Sequence, residues 1–182
     1  PRGRLTPSTP DRVWAGSSRG PAFMQTLKPD LVAPGLSVLS AWPMGGTGPP
    51  QYAQVTGTSQ AAAHVAGLAA LLLQANPAWT PAQVKAALMG TAMPPSGETA
   101  TEGALAYGAG SLRLAQSALP ELAASPPSLD LGLLEMRRTY QTSATVHDER
   151  TVGASNSYTT SVSLTTPDSE AGEDVAGVIV QV

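Results

Sequence analysis

The sequence predicts an α/β unit followed by an all-β segment, and three observations carry that prediction. A Gly57-Thr58-Ser59 turn opens an apolar run that reaches Asn76. Thr80-Pro81, with Gln83 behind it, is the start signal of another helix. After Pro127 the pattern changes to alternation, as in Leu129, Leu131, Leu133 and again in Tyr158, Thr160, Val162, Leu164. Helical runs therefore give way to period-2 patterning, the signature of strands.

Taken in order, residues 1–12 are rich in Pro, Arg and Thr and predict a loop. Residues 13–17 predict a short strand, and residues 36–42 a second one bounded by Gly35 and Pro43. The breakers of residues 43–50 predict a loop, and residues 52–56 a strand that ends at the Gly-Thr turn. Residues 59–76 predict a helix that is apolar almost all round, hence central and buried, and Pro77 ends it. Thr80 is the N-cap of the next helix, Pro81 its first residue and Gln83 the partner in a capping box. That helix runs to about Met89, and a third, residues 112–119, follows the turn Gly108-Ala109-Gly110. Residues 1–118 thus form the α/β unit. Residues 119–127, with Ser125-Pro126-Pro127, read as a linker, and 128–182 as a β-segment in which residues 175–182 are again β-branched and apolar.

Composition narrows the function classes. A hydrophobic content of 42% with 13% charged residues supports a packed core and argues against wholesale disorder. A formal charge of −3 gives no reason to expect nucleic acid or an anionic membrane as partner. The longest apolar run, residues 65–73, is too short to span a bilayer. With no cysteine, disulfides, thiolate metal sites and a cysteine nucleophile are excluded. The sequence starts at Pro1 without a signal-like stretch, which reads as a fragment or processed piece and leaves secretion open.

The run Gly57-Thr58-Ser59-Gln60-Ala61-Ala62-Ala63-His64-Val65-Ala66-Gly67 places one hydroxyl at a helix N-terminus beside backbone N–H groups. It resembles the nucleophile motif of the subtilisin-like serine proteases at ten of eleven positions, Ala63 standing where that family usually has proline. Ser17-Ser18-Arg19-Gly20-Pro21, Lys28-Pro29-Asp30-Leu31-Val32-Ala33-Pro34-Gly35 and Asn76-Pro77-Ala78-Trp79-Thr80-Pro81 resemble further blocks of the family in the same order. The resemblance covers roughly residues 13–118.

The resemblance implies part of a three-layer fold, with a parallel sheet around a buried nucleophile helix. It also implies peptide-bond hydrolysis through an acyl-enzyme on Ser59, on polypeptide substrates. Thr58 and Gly57 take oxyanion and substrate-positioning places. Helix capping by Thr58 is an equal alternative, and Gly57 gives room at the turn. The triad acid and base and the oxyanion asparagine belong upstream in this family, and no histidine precedes Ser59 here. The upstream part of the same catalytic domain is therefore the expected partner, and the isolated chain is expected to be inactive. Loss of the triad leaves about a thousand- to ten-thousand-fold over water, a magnitude measured on subtilisin itself and not obtained from this chain.

Neither histidine fits the missing base. His64 lies five residues beyond Ser59, so on one helix it points about 140° away and about 7.5 Å along the axis. It reads as a packed histidine satisfied by backbone or water, and His147 beside Asp148 as a solvated strand-end residue. Asp30 matches a structural position and reads as a turn former. Trp14, Trp42 and Trp79 read as packing anchors. Ala63 predicts an unbent helix that could shift the Ser59 hydroxyl and slow the full enzyme; equal kinetics in an Ala63→Pro protein would remove that idea.

No cofactor is assigned. Many relatives bind calcium, but Asp168, Glu170, Glu173 and Asp174 lack calcium-loop spacing and no residue can be given to a metal. The β-segment is similar to the fibronectin-III-like sandwich appended to such proteases. Only residues 127–182 remain for it, fewer than the roughly 100 a full sandwich takes, so a truncated one with open edges is expected. Secretion is implied by the family alone. A non-catalytic relative serving as scaffold or binding module is the alternative reading. An anion-binding helix start is a third, and it lacks the Gly-x-x-x-x-Gly-Lys pattern.

Overall fold

The computed structural model describes residues 11–23, 26–42, 51–96, 103–118, 122–128, 139–148 and 157–165. Strands β1 (Val38–Trp42) and β2 (Gln51–Val55) form an antiparallel hairpin, with Val38 opposite Val55 and Trp42 opposite Gln51. Helix α1 (Thr58–Ala75) follows after two residues. Residues 13–17 form a turn closed by Ser17 N–H on Trp14 O (2.9 Å), so the strand expected there is replaced by a loop.

Helix α2 (Pro81–Gly90) starts where the sequence places it. Gln83 N–H donates to Thr80 Oγ1 (3.3 Å) and Thr80 N–H to Gln83 Oε1 (2.9 Å), closing the capping box with Pro81 at the first helical position. Such a cap stabilises by about 1 kcal/mol.

Two short helices complete the α/β unit. The sequence reading missed α3 (Gly103–Tyr107), while α4 (Leu114–Ala118) is a shortened version of the expected third helix. Between them the chain turns at Gly108 (φ 60°), where a Cβ would overlap the carbonyl oxygens of Pro29 and Asp30.

The core is the meeting of α1, α2 and α4. Leu68 and Leu72 of α1 pack with Val84 and Leu88 of α2, and Leu31, Val65, Ala69, Trp79, Leu112 and Ala118 close around them. Burying a leucine such as Leu72 contributes about 1.5–3 kcal/mol. A smaller cluster joins Met89, Ala92 and Ala109. One polar contact lies inside this packing. Ser117 Oγ sits 2.8 Å from Thr91 Oγ1, each hydroxyl also 2.7 Å from a carbonyl four residues back, Arg113 O and Ala87 O.

Helix α1 corrects one expectation. Ala61, Val65, Leu68, Ala69 and Leu72 form its inward stripe, at helical spacing. The opposite side is open: Leu71 is 54% and Leu73 41% exposed. The helix is apolar all round, as the sequence says, but the described residues cover only one side of it.

The parallel sheet is also not what the named strands build, since every pairing among them is antiparallel. A single parallel bridge joins Val32 to Ser111, and Met93 bridges Ser111 antiparallel. Val32 N–H donates to Gly110 O and Leu112 N–H to Val32 O, both at 2.9 Å. Trp14 and Trp42 are 45% and 50% exposed, so only Trp79 serves as the expected packing anchor.

The remaining elements are β3 (Leu122–Ser125), β4 (Thr139–Asp148) and β5 (Ser157–Thr165), an antiparallel sheet in that order. β3 falls inside the expected linker and runs beside α2. Ala144 and Val146 of β4 are buried two residues apart, the alternation of a strand with one covered face. The alternating residues Leu129, Leu131 and Leu133 and residues 175–182, also expected to be strands, lie outside the described residues.

Candidate active site

Three contacts pin the start of α1. Thr56 Oγ1 accepts the Ser37 N–H (2.8 Å), Gly57 N–H donates to Gly35 O (2.9 Å), and Gly57 O accepts Gln60 N–H (3.2 Å). Gly35 is required by space and not by a left-handed dihedral, whereas a Cβ on Gly57 would meet only the movable end of the Gln60 side chain. A Cβ on Gly35 would stand 2.7 Å from Gly57 O, and one on Gly57 2.8 Å from Gln60 Oε1; Gly57 itself is extended, at φ 167°.

Thr58 and Ser59 are the first two residues of the helix, and both are exposed. No side chain caps this end, so Thr58 does not play the capping part that was its alternative. Among the described residues the Ser59 N–H has no acceptor. With no acidic residue in the first turn, the partial positive charge of the helix start, about half an elementary charge, faces outward beside the Ser59 hydroxyl. Backbone donors so placed stabilise an oxyanion forming next to the serine.

Among the described residues neither histidine is brought to Ser59. His64 is exposed, and its Nδ1–H donates to Gln60 O (2.9 Å), leaving Nε2 as the acceptor nitrogen. It is satisfied by backbone as expected, though on the surface and not packed. His147 is on β4 opposite Ala123, in the other sheet. Ala63 leaves α1 unbroken.

Beside the helix start lies a cleft of about 550 Å³, lined by Gly57, Thr58, Ala61, Ala62 and Val65 on one side and by residues 11–14 and 31–36 on the other. Ser59 is not on its wall. Asp11, at φ 56°, is one of the lining residues, and its carboxylate accepts Ser96 N–H (2.6 Å) and Ser111 Oγ–H (3.0 Å). The Ser96 hydrogen bond chiefly holds its carboxyl below the usual range. Sequence reasoning missed Asp11; its partners lie 85 and 100 residues away, a separation no local pattern encodes.

Asp30 is more than a turn former. Its carboxylate pairs with Lys28 (2.7 Å) and with Lys85 of α2 (2.9 Å), and its carbonyl accepts Ala109 N–H (2.9 Å). Burial pushes this carboxyl up, but the two lysines outweigh it and hold it below the usual range. Among the described residues there is no group of three or more His, Cys, Asp or Glu that could hold a metal. Nor is any described helix long and apolar enough to cross a membrane.

Residues 8–111 match the model of the subtilase family, Peptidase_S8. The chain belongs to that family. Among curated relatives it is similar to three subtilisin-like proteases of Arabidopsis thaliana. It is 48% identical to Subtilisin-like protease SBT1.9 over 91 residues, 44% of this chain and 12% of the relative. To Subtilisin-like protease SBT1.4 it is 45% identical over 100 residues, 48% of this chain and 13% of the relative. To Subtilisin-like protease SBT4.14 it is 39% identical over 120 residues, 60% of this chain and 16% of the relative. The subtilase chain described here therefore spans only a small part of the length of the relatives it matches.

Proposed function

We propose that this chain carries the nucleophile of a serine endopeptidase, Ser59, and is the C-terminal part of its catalytic domain. The observation that supports this best is the start of α1, where an exposed hydroxyl stands beside an uncapped N–H on a helix end pinned by Gly35 and Gly57. The Ser59 oxygen would bond to the scissile carbonyl carbon while its proton passes to a base. The peptide C–N bond then breaks, the proton goes to the leaving amine, and water hydrolyses the acyl-enzyme. Thr58 and Gly57 would line the oxyanion and substrate side. The acid, the base and the oxyanion asparagine would come from upstream sequence, and the chain alone would be inactive. A polypeptide substrate and an extracellular setting belong to the same proposal.

A fluorophosphonate probe tests it. The isolated chain is expected to stay unlabelled. The same residues grafted over the 91 matched residues of Subtilisin-like protease SBT1.9 are expected to label, and to stop labelling in Ser59→Ala. An unlabelled graft that is folded would overturn the catalytic reading in favour of a non-catalytic scaffold.

A further inference from the structure

The point over Gly57 where a side chain would begin is bounded by two atoms. Gln60 Oε1 stands 2.8 Å from it and the Ser59 nitrogen 3.8 Å. Apart from Gly57 and its chain neighbours, no other atom of the described residues lies within 4 Å of that point. Gln60 reaches it because a glutamine at the third position of a helix bends back toward the residue before the helix. In a capping box it would take that residue's N–H, but the Gly57 N–H is already bonded to Gly35 O (2.9 Å). The Gln60 backbone is in use: its N–H donates to Gly57 O (3.2 Å) and its C=O accepts His64 Nδ1–H (2.9 Å). Its carboxamide makes no hydrogen bond among the described residues. A half-buried polar side chain without a partner is thus held beside Ser59, over the residue whose missing side chain leaves room.

We infer that Gln60 is a substrate-positioning residue whose Oε1 accepts a main-chain N–H of the bound polypeptide. A nitrogen seated over Gly57 is at hydrogen-bond distance from Oε1, since 2.8 Å is the separation at that point. The seat also adjoins the Ser59 nitrogen, so the peptide unit held there is a close neighbour of the one Ser59 would attack. The fold does not demand glycine at position 57. Its φ of 167° suits any residue, and a Cβ would meet only the movable end of Gln60. The seat does demand it, because a side chain there would fill the space and leave the carboxamide nothing to bind. The inference rests on the reading of Ser59 as the nucleophile of a polypeptide-cleaving enzyme, and it concerns how the polypeptide is held, not the acyl transfer.

Binding and chemistry are read separately in the SBT1.9 graft. Affinity for fluorescein-labelled casein, a polypeptide probe of mixed sequence, is measured by anisotropy in a Ser59→Ala background, where nothing is cleaved. Gln60→Met, similar in length but without the carboxamide, is expected to weaken binding about three- to tenfold, the scale of one hydrogen bond. Gln60→Glu keeps an acceptor at the same reach, with a charge that a helix start favours, and is expected to stay within about twofold. Gly57→Ala, which fills the seat, is expected to weaken binding at least as much as Gln60→Met without unfolding the graft. Equal affinity in Gln60→Met, or no measurable binding by the folded graft, would overturn the inference. Tighter binding in Gln60→Met would make the carboxamide an obstruction and overturn it too. A loss in Gln60→Glu as large as in Gln60→Met would move the bond to the donor end and overturn the acceptor assignment. Fluorophosphonate labelling of the graft with Ser59 intact tests the other reading. A graft that binds casein through Gln60 and does not label keeps the inference and loses the catalytic reading. A graft that labels while Gln60→Met binds as well as its parent does the reverse.

Discussion

Both long helices carry glutamine at the third position of their first turn, Gln60 in α1 and Gln83 in α2. In α2 the residue before the helix is Thr80, and the two side chains satisfy each other's backbone N–H groups. In α1 it is Gly57, which has no side chain to give and whose own N–H is already committed to Gly35 O. Gln60 Oε1 rests over Gly57 in place of closing a box. One helix start is finished for stability and the other is left with donors open to solvent. The difference teaches that an unfinished helix end is a resource: free N–H groups are a cost in a scaffold and, under the function proposed above, the donors of an oxyanion site.

Substitutions can break or sharpen this contrast. The largest effect is expected where the two helices depend on each other. Leu72→Ala should cost about 2–5 kcal/mol in urea unfolding, while Leu71→Ala, on the open side, should change it by less than about 0.5 kcal/mol. Thr80→Ala should cost about 1 kcal/mol by removing the α2 cap. Ser59→Ala at the uncapped end should leave the unfolding midpoint within about 0.5 kcal/mol while removing probe labelling in the graft.

The smallest expected effect is acid sensitivity. Asp11 and Asp30 are both held below the ordinary carboxylate value in the folded chain. Their contribution is therefore complete above that value and is lost as pH falls through the lowered folded values. The urea midpoint should drop as pH falls below about 4, the ordinary carboxylate range, and Asp30→Asn should flatten that drop. An unchanged slope in the variant would show that the Lys28–Asp30–Lys85 contact does not couple to folding.

Local chemistry made the starts of α1 and α2 readable in the sequence. Thr80-Pro81 with Gln83 states a capping box in four residues, and Gly57-Thr58-Ser59 states a turn into a helix. What escaped depends on distant partners. β3 contains Ala123, Ala124 and Ser125, weak strand formers, and is a strand because β4 offers it a ladder. α3 is five residues long and begins at a glycine with φ 50°, too short for periodicity to show. The expectation of a wholly buried α1 came from composition, and composition does not say how much of the surrounding chain is at hand. At the candidate site the motif singles out Ser59 and Gly57, whereas the contacts of Asp11 emerge only when its segment meets Ser96 and Ser111.

The contact between Thr91 and Ser117 is short of one proton. Three short oxygen contacts must be served by two hydroxyl protons. The Thr91 N–H is spent on Met89 O, so Ala87 O depends on the Thr91 hydroxyl, while Arg113 O already accepts the Ser117 N–H (3.0 Å). Thr91 Oγ1–H donates to Ala87 O and Ser117 Oγ–H to Arg113 O, so a proton placed on the 2.8 Å contact between the two hydroxyls is taken from one of these carbonyls. The last turn of α2 is closed by the Thr91 hydroxyl, and a mutation at Ser117 of α4 reaches that turn through the 2.8 Å contact between the two hydroxyls.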